Sequence, residues 1–230
     1  MNGEHNKDGA DDNNSWNCGV EGETNDVAIV ALRKQMMKNY ACCLLFASGT
    51  PMILGGDEFA RSQRGNNNAY CQDNEIGWFN WDEVLKNNDL VEFYRKAIAF
   101  TRRFPVLQRR KFLLGRDLDL DGVPDLKWFA PDQGDPRWND PTARTICYQL
   151  DSSEEGARVA VDRLFFILNA NYESQWVTLP PLVSPHGWYR AIDTSLPSGS
   201  DFAEPRKEVR VDPADHYIAS PRSTVVLLSR

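Results

Sequence analysis

The chain has 230 residues, enough for one large domain or two small ones. Its 41% hydrophobic and 26% charged content is typical of a soluble globular protein. With 26 basic and 33 acidic residues the net charge is -7, and the absence of a long basic cluster argues against nucleic acid as a partner. No apolar run reaches the roughly 20 residues that a membrane-spanning helix needs, and the first residues lack a signal-peptide pattern. We therefore expect no membrane partner and a cytoplasmic location.

Cysteine and histidine spacing gives no sign of a metal centre. The five cysteines are scattered and contain no CxxC pair, which favours reduced thiols over disulfides or zinc ligands. His5, His186 and His216 are far apart along the chain and from any cysteine motif. We therefore predict no metal site and no cofactor.

The first 107 residues show the local pattern of an α/β barrel. A polar loop over residues 1–25 leads to the capping residues Thr24, Asn25 and Asp26, after which apolar residues recur at helical spacing as far as Ser48. Residues 52–54 form a short apolar run typical of a buried parallel strand. A polar loop follows, and then a second helix over residues 90–101. A functional loop after a buried strand is typical of a TIM barrel, so residues 1–107 are predicted to be part of such a barrel, too short to close alone.

From residue 108 the pattern changes to short β-rich runs separated by Pro, Gly, Asp and Ser. These runs cover residues 126–129, 145–150, 159–168, 176–179, 188–192, 209–211 and 223–228. About seven short strands with frequent turn signals are typical of an antiparallel sandwich. The sequence therefore predicts an all-β sandwich over residues 108–230, with a domain boundary near Leu107.

Several motifs together resemble one enzyme family. They are residues 2–4 (NGE), 8–22 (DGADDNNSWNCGVEG), 55–58 (GGDE), 64–75 (RGNNNAYCQDNE), 78–81 (WFNW) and 212–226 (DPADHYIASPRSTVV). Spread over nearly the whole chain, they resemble the glycogen debranching and isoamylase branch of the α-amylase superfamily.

The resemblance implies an enzyme that hydrolyses α-1,6 branch linkages in glycogen or limit dextrins, built from a catalytic (β/α)8 barrel and a C-terminal β-sandwich. In that family the catalytic carboxylates lie before the motif at residues 2–4, so none is expected in this chain. The implied partners are an α-glucan and the missing N-terminal part of the barrel, and the chain alone is expected to be inactive. The alternative is a non-catalytic carbohydrate-binding or accessory module.

Asp57 and Glu58 are the first carboxylates to consider as catalytic groups. Retaining glycoside hydrolysis needs two carboxyl groups roughly 5 Å apart. Neighbours on an extended segment point to opposite sides, so this pair cannot flank one glycosidic bond. We predict instead that Asp57 and Glu58 brace the loop through backbone amides and through Arg61 or Arg64.

Residues 55–78, called the rim loop below, carry the candidate substrate contacts. Amide, carboxylate and phenol groups suit sugar hydroxyls and rings, although adjacent Asn residues also bond their own backbone in turns. With the resemblance, the predicted glucan contacts are Asn67, Asn68, Tyr70, Asp73 and Asn74. Trp78 and Trp81 are predicted to pack between the barrel and the sandwich.

Two acidic stretches leave alternatives open. Asp117, Asp119, Asp121 and Asp125 imitate the start of a calcium loop, but Trp128 stands where an EF-hand has its bidentate Glu. The stretch is either a calcium site or an ordinary turn before a strand. The acidic loop from Asp8 to Asn14 is predicted to be solvated.

Overall fold

The computed structural model describes residue 9 and residues 15–118, 120–152, 163–182 and 185–230. The motif at residues 2–4, His5, the acidic positions from Asp8 to Asn14 and Asp119 lie outside the described residues.

Helix α1 spans Val27–Leu45 and begins where the capping residues predicted. Asp26 is the N-cap, and its Oδ1 accepts hydrogen bonds from the amides of Ala28 at 2.9 Å and Ile29 at 3.2 Å. These bonds satisfy two of the amides that a helix start leaves unpaired. One side of α1 is buried through residues such as Ala41, Cys42 and Leu45, yet apolar residues also occur on its other sides.

The second predicted helix is present and is preceded by a short one. Helix α2 spans Asp82–Lys86 and helix α3 spans Asn88–Arg103. The buried stripe of α3 consists of Leu90, Phe93, Tyr94, Ala97, Phe100 and Thr101. The residue that follows α3, Phe104, has an extended backbone. After it, Pro105 begins a 3-10 turn over Pro105–Gln108. Proline disfavours helical backbone in the residue before it, which explains the stop.

The predicted strand at residues 52–54 is wrong. These residues form no strand, and the side chains of Met52 and Leu54 are 86% and 64% exposed. A parallel strand exists only when a neighbouring strand accepts and donates its backbone hydrogen bonds. The described part of the chain provides no such neighbour for residues 52–54, so the apolar run stays unpaired.

The β-rich half forms two antiparallel sheets, as predicted for residues 108–230. The strands are β1 Leu126–Phe129, β2 Thr145–Asp151, β3 Arg163–Asn169, β4 Gln175–Thr178, β5 Trp188–Asp193, β6 Val209–Arg210, β7 His216–Ala219 and β8 Ser223–Ser229. The larger sheet has the order β1-β2-β3-β8-β5-β6, and β4 pairs with β7 in a second sheet. Residues 159–162 of the predicted third run lie outside the described residues, and β7 was missed from the sequence.

The six-stranded sheet lies between two layers. On one face, Phe166, Val226 and Leu228 pack with the buried sides of α1 and α3 in one cluster. On the other face, Phe165 and Leu227 pack against the β4–β7 sheet in a second cluster. Alternate residues of β3 and β8 therefore serve different cores, as the two-residue period of a strand requires. The order of layers is helices, large sheet, small sheet.

Polar contacts also join α1 and α3 to the β-rich half. Lys38 Nζ lies 2.7 Å from Asp201 Oδ2, and both side chains are almost fully buried. The carboxylate of Glu208 lies 2.7 Å from Arg103 at the end of α3 and 2.8 Å from Arg230. The helices are thus attached to the large sheet by apolar packing and by buried charge pairs.

None of the helices within the described ranges is both long enough and apolar enough to span a bilayer.

Candidate functional site

The rim loop begins with a glycine-dependent turn. Gly56 has a φ of 104°, and a Cβ atom at this position would lie 2.6 Å from Cβ of Arg61. Its carbonyl accepts a hydrogen bond from the Arg61 amide at 2.9 Å. Any residue with a side chain would be strained there in conformation and in space.

Asp57 and Glu58 are not on an extended segment, which corrects the sequence prediction. Both belong to a 3-10 turn over Asp57–Phe59. Glu58 Oε2 accepts a hydrogen bond from the Gly56 amide at 2.9 Å, so this carboxylate holds the turn together. Burial and the neighbouring Glu58 carboxylate raise the pKa of Asp57, and the positive charge of Arg61 only partly opposes them.

Arg61 and Arg64 brace the loop through partners other than the predicted ones. Arg61 Nη2 donates to the Gly77 carbonyl at 2.9 Å, and its guanidinium lies 4.9 Å from the centre of the Phe79 ring. Arg64 Nη1 pairs with Glu75 Oε1 at 2.9 Å on the surface. Arg61 therefore joins the start of the loop to its end. The Arg64–Glu75 ion pair is exposed on the surface and should stabilise the loop less.

The asparagines of the loop bond their own backbone, which was the alternative considered from the sequence. Asn66 Oδ1 accepts from the Asn68 amide at 2.9 Å, and Asn68 Oδ1 accepts from the Tyr70 amide at 3.1 Å. Asn74 Oδ1 accepts from the Ile76 amide at 2.9 Å. Asn67 is exposed and lies against Gly9. Successive Asx turns thus fix the backbone of the loop.

Tyr70 is almost fully open to solvent. Its ring is 95% exposed at the tip of the loop. Asp73 Oδ1 accepts a hydrogen bond from Trp78 Nε1 at 2.8 Å, so this carboxylate also orients an indole ring. Tyr70 and Trp78 together offer two accessible aromatic faces of the kind that stack on sugar rings.

Trp78 and Trp81 are 61% and 68% exposed, so the prediction that they pack between two domains is wrong within the described chain. Trp81 is supported on one side by Phe59 and Phe79, whose ring centres lie 5.9 Å and 5.7 Å from its own. Leu54 and Met52, which come just before the rim loop in the chain, are also mostly exposed.

The described carboxylates of the calcium-like stretch accept hydrogen bonds from the backbone. Asp125 is fully buried and accepts hydrogen bonds from the amides of Leu114, Gly115 and Arg116, with Arg109 Nη1 at 3.2 Å. Asp117 likewise accepts from the Leu120 and Gly122 amides at 2.8 Å and 2.9 Å. No group of three or more His, Cys, Asp or Glu that could hold a metal occurs in the described part of the chain. The described carboxylates of this stretch fix its backbone.

The β-rich half matches a known family model. Residues 125–228 match the model described as "Isoamylase, C-terminal". Solved pullulanases from Bacillus acidopullulyticus and from Bacillus subtilis, the latter complexed with maltose, both superpose with a TM-score of 0.63. They are 17% and 18% identical, covering 89% and 90% of this chain and 21% and 24% of theirs. At that identity the likeness shows the fold. The class defined by fold and motifs is thus an isoamylase-type C-terminal domain with a preceding helical segment.

Curated relatives extend the match to nearly the whole chain. The "Glycogen operon protein GlgX homolog" of Mycobacterium tuberculosis is 36% identical over 98% of this chain and 32% of its own length. "Isoamylase 3, chloroplastic" of Oryza sativa is 33% identical over 87% of this chain and 24% of its own length. The resemblance to the glycogen debranching and isoamylase branch that the motifs predicted is thus confirmed over nearly the whole chain, which spans about a third or less of the length of these relatives.

Proposed function

We propose that this chain supplies one rim of the substrate cleft and the C-terminal β domain of a cytoplasmic enzyme that hydrolyses α-1,6 branch linkages in glycogen or limit dextrins. We divide it near Leu107, with residues 1–107 as the last part of a (β/α)8 barrel and residues 108–230 as the β-sandwich. The similarity to proteins about three times as long carries the proposal. The remaining part of the barrel would provide the catalytic carboxylates.

The unpaired apolar surfaces of the first half support the barrel assignment. Val27 and Tyr40 of α1 and Met52 and Leu54 after it are all mostly exposed. Apolar residues of a helix normally lie on a side that is buried. A neighbouring barrel strand and helix would cover these side chains and would give residues 52–54 the partner that a strand needs.

The rim loop supports the assignment of substrate contacts. Asn67, Asn68, Asp73 and Asn74 are close to Tyr70 along the chain, and the Tyr70 ring is exposed and accessible to glucose. The Asx turns and the bond from Arg61 to Gly77 hold the loop before any substrate arrives. A contact group held in place in advance loses less conformational entropy on binding.

The chain's own carboxylates on the rim do not suit the chemical step. Glu58 is engaged with the Gly56 amide, and Asp57 is its immediate neighbour in the same turn. Two carboxyl groups that act on one glycosidic bond must stand on either side of it. We therefore assign Asp57 and Glu58 to loop bracing.

The experiment is a chimera in which this chain replaces the matched segment of the Mycobacterium tuberculosis relative. We expect the chimera to release linear chains from glycogen, measured as new reducing ends, and the 230-residue chain alone to release none. Tyr70→Ala in the chimera should lower kcat/KM by about tenfold, because one stacked ring is lost. Phe112→Ala, which removes an equally exposed ring outside the rim loop, is the matched control. Debranching by the chain alone, or a folded chimera without activity, would contradict the proposal.

A further inference from the structure

The outer face of the small sheet carries an exposed tryptophan that the missing part of a barrel does not explain. Trp176 in β4 is 59% exposed, and Ile218, directly opposite in β7, is 56% exposed. The small sheet packs its inner face on the large sheet, and the large sheet packs its other face on α1 and α3. Two layers of β structure therefore separate Trp176 from the helices that a barrel would cover.

Trp176 is held in place by a neighbouring histidine. The rings of Trp176 and His216 are stacked, with centres 3.5 Å apart and planes at 13°. Nδ1 of His216 lies 2.8 Å from Asp215 Oδ1, which fixes the imidazole in turn. One face of the indole is thus occupied, and the exposed area lies on its other face and edges. An indole fixed in this way needs little ordering before it stacks on a ligand.

A groove runs beside this aromatic pair, along β7 on the side away from β4. It has a volume of about 310 Å³, and its lining includes Arg190, Arg210, Asp212, His216, Tyr217 and Ile218. The guanidinium donors and the carboxylate acceptor in this lining can bond the hydroxyl groups of a neutral polyol. An aromatic platform with a few polar groups beside it is the composition of a sugar site.

We propose that Trp176, with His216 behind it and the groove between β6 and β7 beside it, binds an α-glucan chain outside the catalytic cleft. This inference rests on the proposed function, which supplies the glucan as ligand. The site would hold the enzyme on a branched polymer while the rim loop engages another branch. A short oligosaccharide cannot reach from the rim loop to the Trp176 site, so the second site would not increase its affinity for the enzyme.

Native electrophoresis of the 230-residue chain in gels with and without glycogen tests the site. We expect glycogen to retard the wild-type chain and Trp176→Ala to weaken the apparent affinity about tenfold. Arg210→Ala, which removes only an exposed donor of the groove, should weaken it about threefold. Trp138→Ala, which removes another exposed indole that packs on Trp128 in β1 and does not line the groove, should leave it within twofold. A Trp176→Ala loss of equal size in the Tyr70→Ala background would show that the two surfaces act independently.

Three results would overturn the inference. The first is a wild-type chain that glycogen does not retard, and the second is a Trp176→Ala variant that binds glycogen within twofold of wild type. The third is a change in the mobility of Trp176→Ala in gels without glycogen, because it would indicate that Trp176 contacts another copy of the chain. The proposed function fails separately, through an inactive chimera. In an active chimera, Trp176→Ala should slow debranching of glycogen and spare that of a short branched dextrin.

Discussion

The two halves of the chain differ in how much of their apolar surface they cover themselves. In the β-rich half, every residue of the central strand β8 is buried, because both faces of the large sheet are packed. In the first half, the rings of Tyr70, Trp78 and Trp81 and the side chain of Met52 lie largely open. Monomeric proteins rarely leave large continuous apolar patches uncovered. We infer that these side chains of the first half make contacts with structure outside the described chain.

The helices α1 and α3 show the same difference within one layer. Helix α3 places its apolar residues on one side and its charged residues on the other, so packing on the large sheet satisfies it. Helix α1 packs through Ala41, Cys42 and Leu45 and still exposes Val27 and Tyr40 elsewhere on its surface. We infer that α1 packs on the large sheet on one side and on structure outside the described chain on another, whereas the charged side of α3 faces solvent.

The largest effect expected on the isolated chain tests whether α1 is firmly attached to the β-rich half. Lys38→Met removes one partner of the buried Lys38–Asp201 pair and leaves an uncompensated carboxylate. We expect a loss of about 3–5 kcal/mol in the free energy of unfolding, measured by urea denaturation.

Lys34→Met is the matched control on the same helix. Lys34 pairs with Asp89 at 2.8 Å, but both side chains are partly exposed. We expect a loss below about 1 kcal/mol. Equal losses in the two variants would mean that burial of the Lys38 pair does not matter to the attachment of α1.

A smaller effect is expected at the second attachment, where Glu208 accepts from Arg103 and Arg230. Burial pushes the pKa of Glu208 upward, but hydrogen bonds from Arg103 and the backbone outweigh it, so the pKa is lowered. A lowered pKa adds stability above the unfolded pKa of about 4.3, and that stability is lost as the pH falls through the folded pKa. We expect Glu208→Gln to cost about 2 kcal/mol at neutral pH and less below pH 4.

The pH series for this variant needs a control that also pairs with α3. Glu204 pairs with Lys96 at 2.8 Å and has a lowered pKa, caused by the hydrogen bond from Lys96, but it is mostly exposed. Glu204→Gln should cost less than about 1 kcal/mol. A Glu208→Gln loss that stays constant from pH 7 to pH 3 would contradict a role for its ionised form.

The features that were predicted correctly from the sequence depend on short stretches of neighbouring residues. The cap at Asp26, the stop before Pro105 and most strands follow from residues that are close together in the chain. The strand at residues 52–54 was predicted wrongly because its formation depends on neighbours that no local pattern reveals. Strand β7 was missed because Pro and Ser surround it. The Trp176–His216 pair joins residues 40 positions apart, and only sheet pairing brings them together.

The smallest effect on the isolated chain concerns its exposed apolar run. The double substitution of Met52→Ser and Leu54→Ser should change the free energy of unfolding by less than about 0.5 kcal/mol, because both side chains already face solvent. It should also reduce self-association, measured by analytical ultracentrifugation, since an apolar contact surface becomes polar.

In the chimera the same substitutions should strongly reduce the free energy of unfolding. If residues 52–54 become a buried barrel strand, each replaced side chain should cost about 2–5 kcal/mol and the chimera should lose its thermal stability. Leu120→Ser is the control, since Leu120 is as exposed as Met52 but belongs to the loop before β1. A chimera that tolerates the double substitution as well as it tolerates Leu120→Ser would show that residues 52–54 stay unpaired in the longer protein, and the barrel assignment of the first half would be wrong.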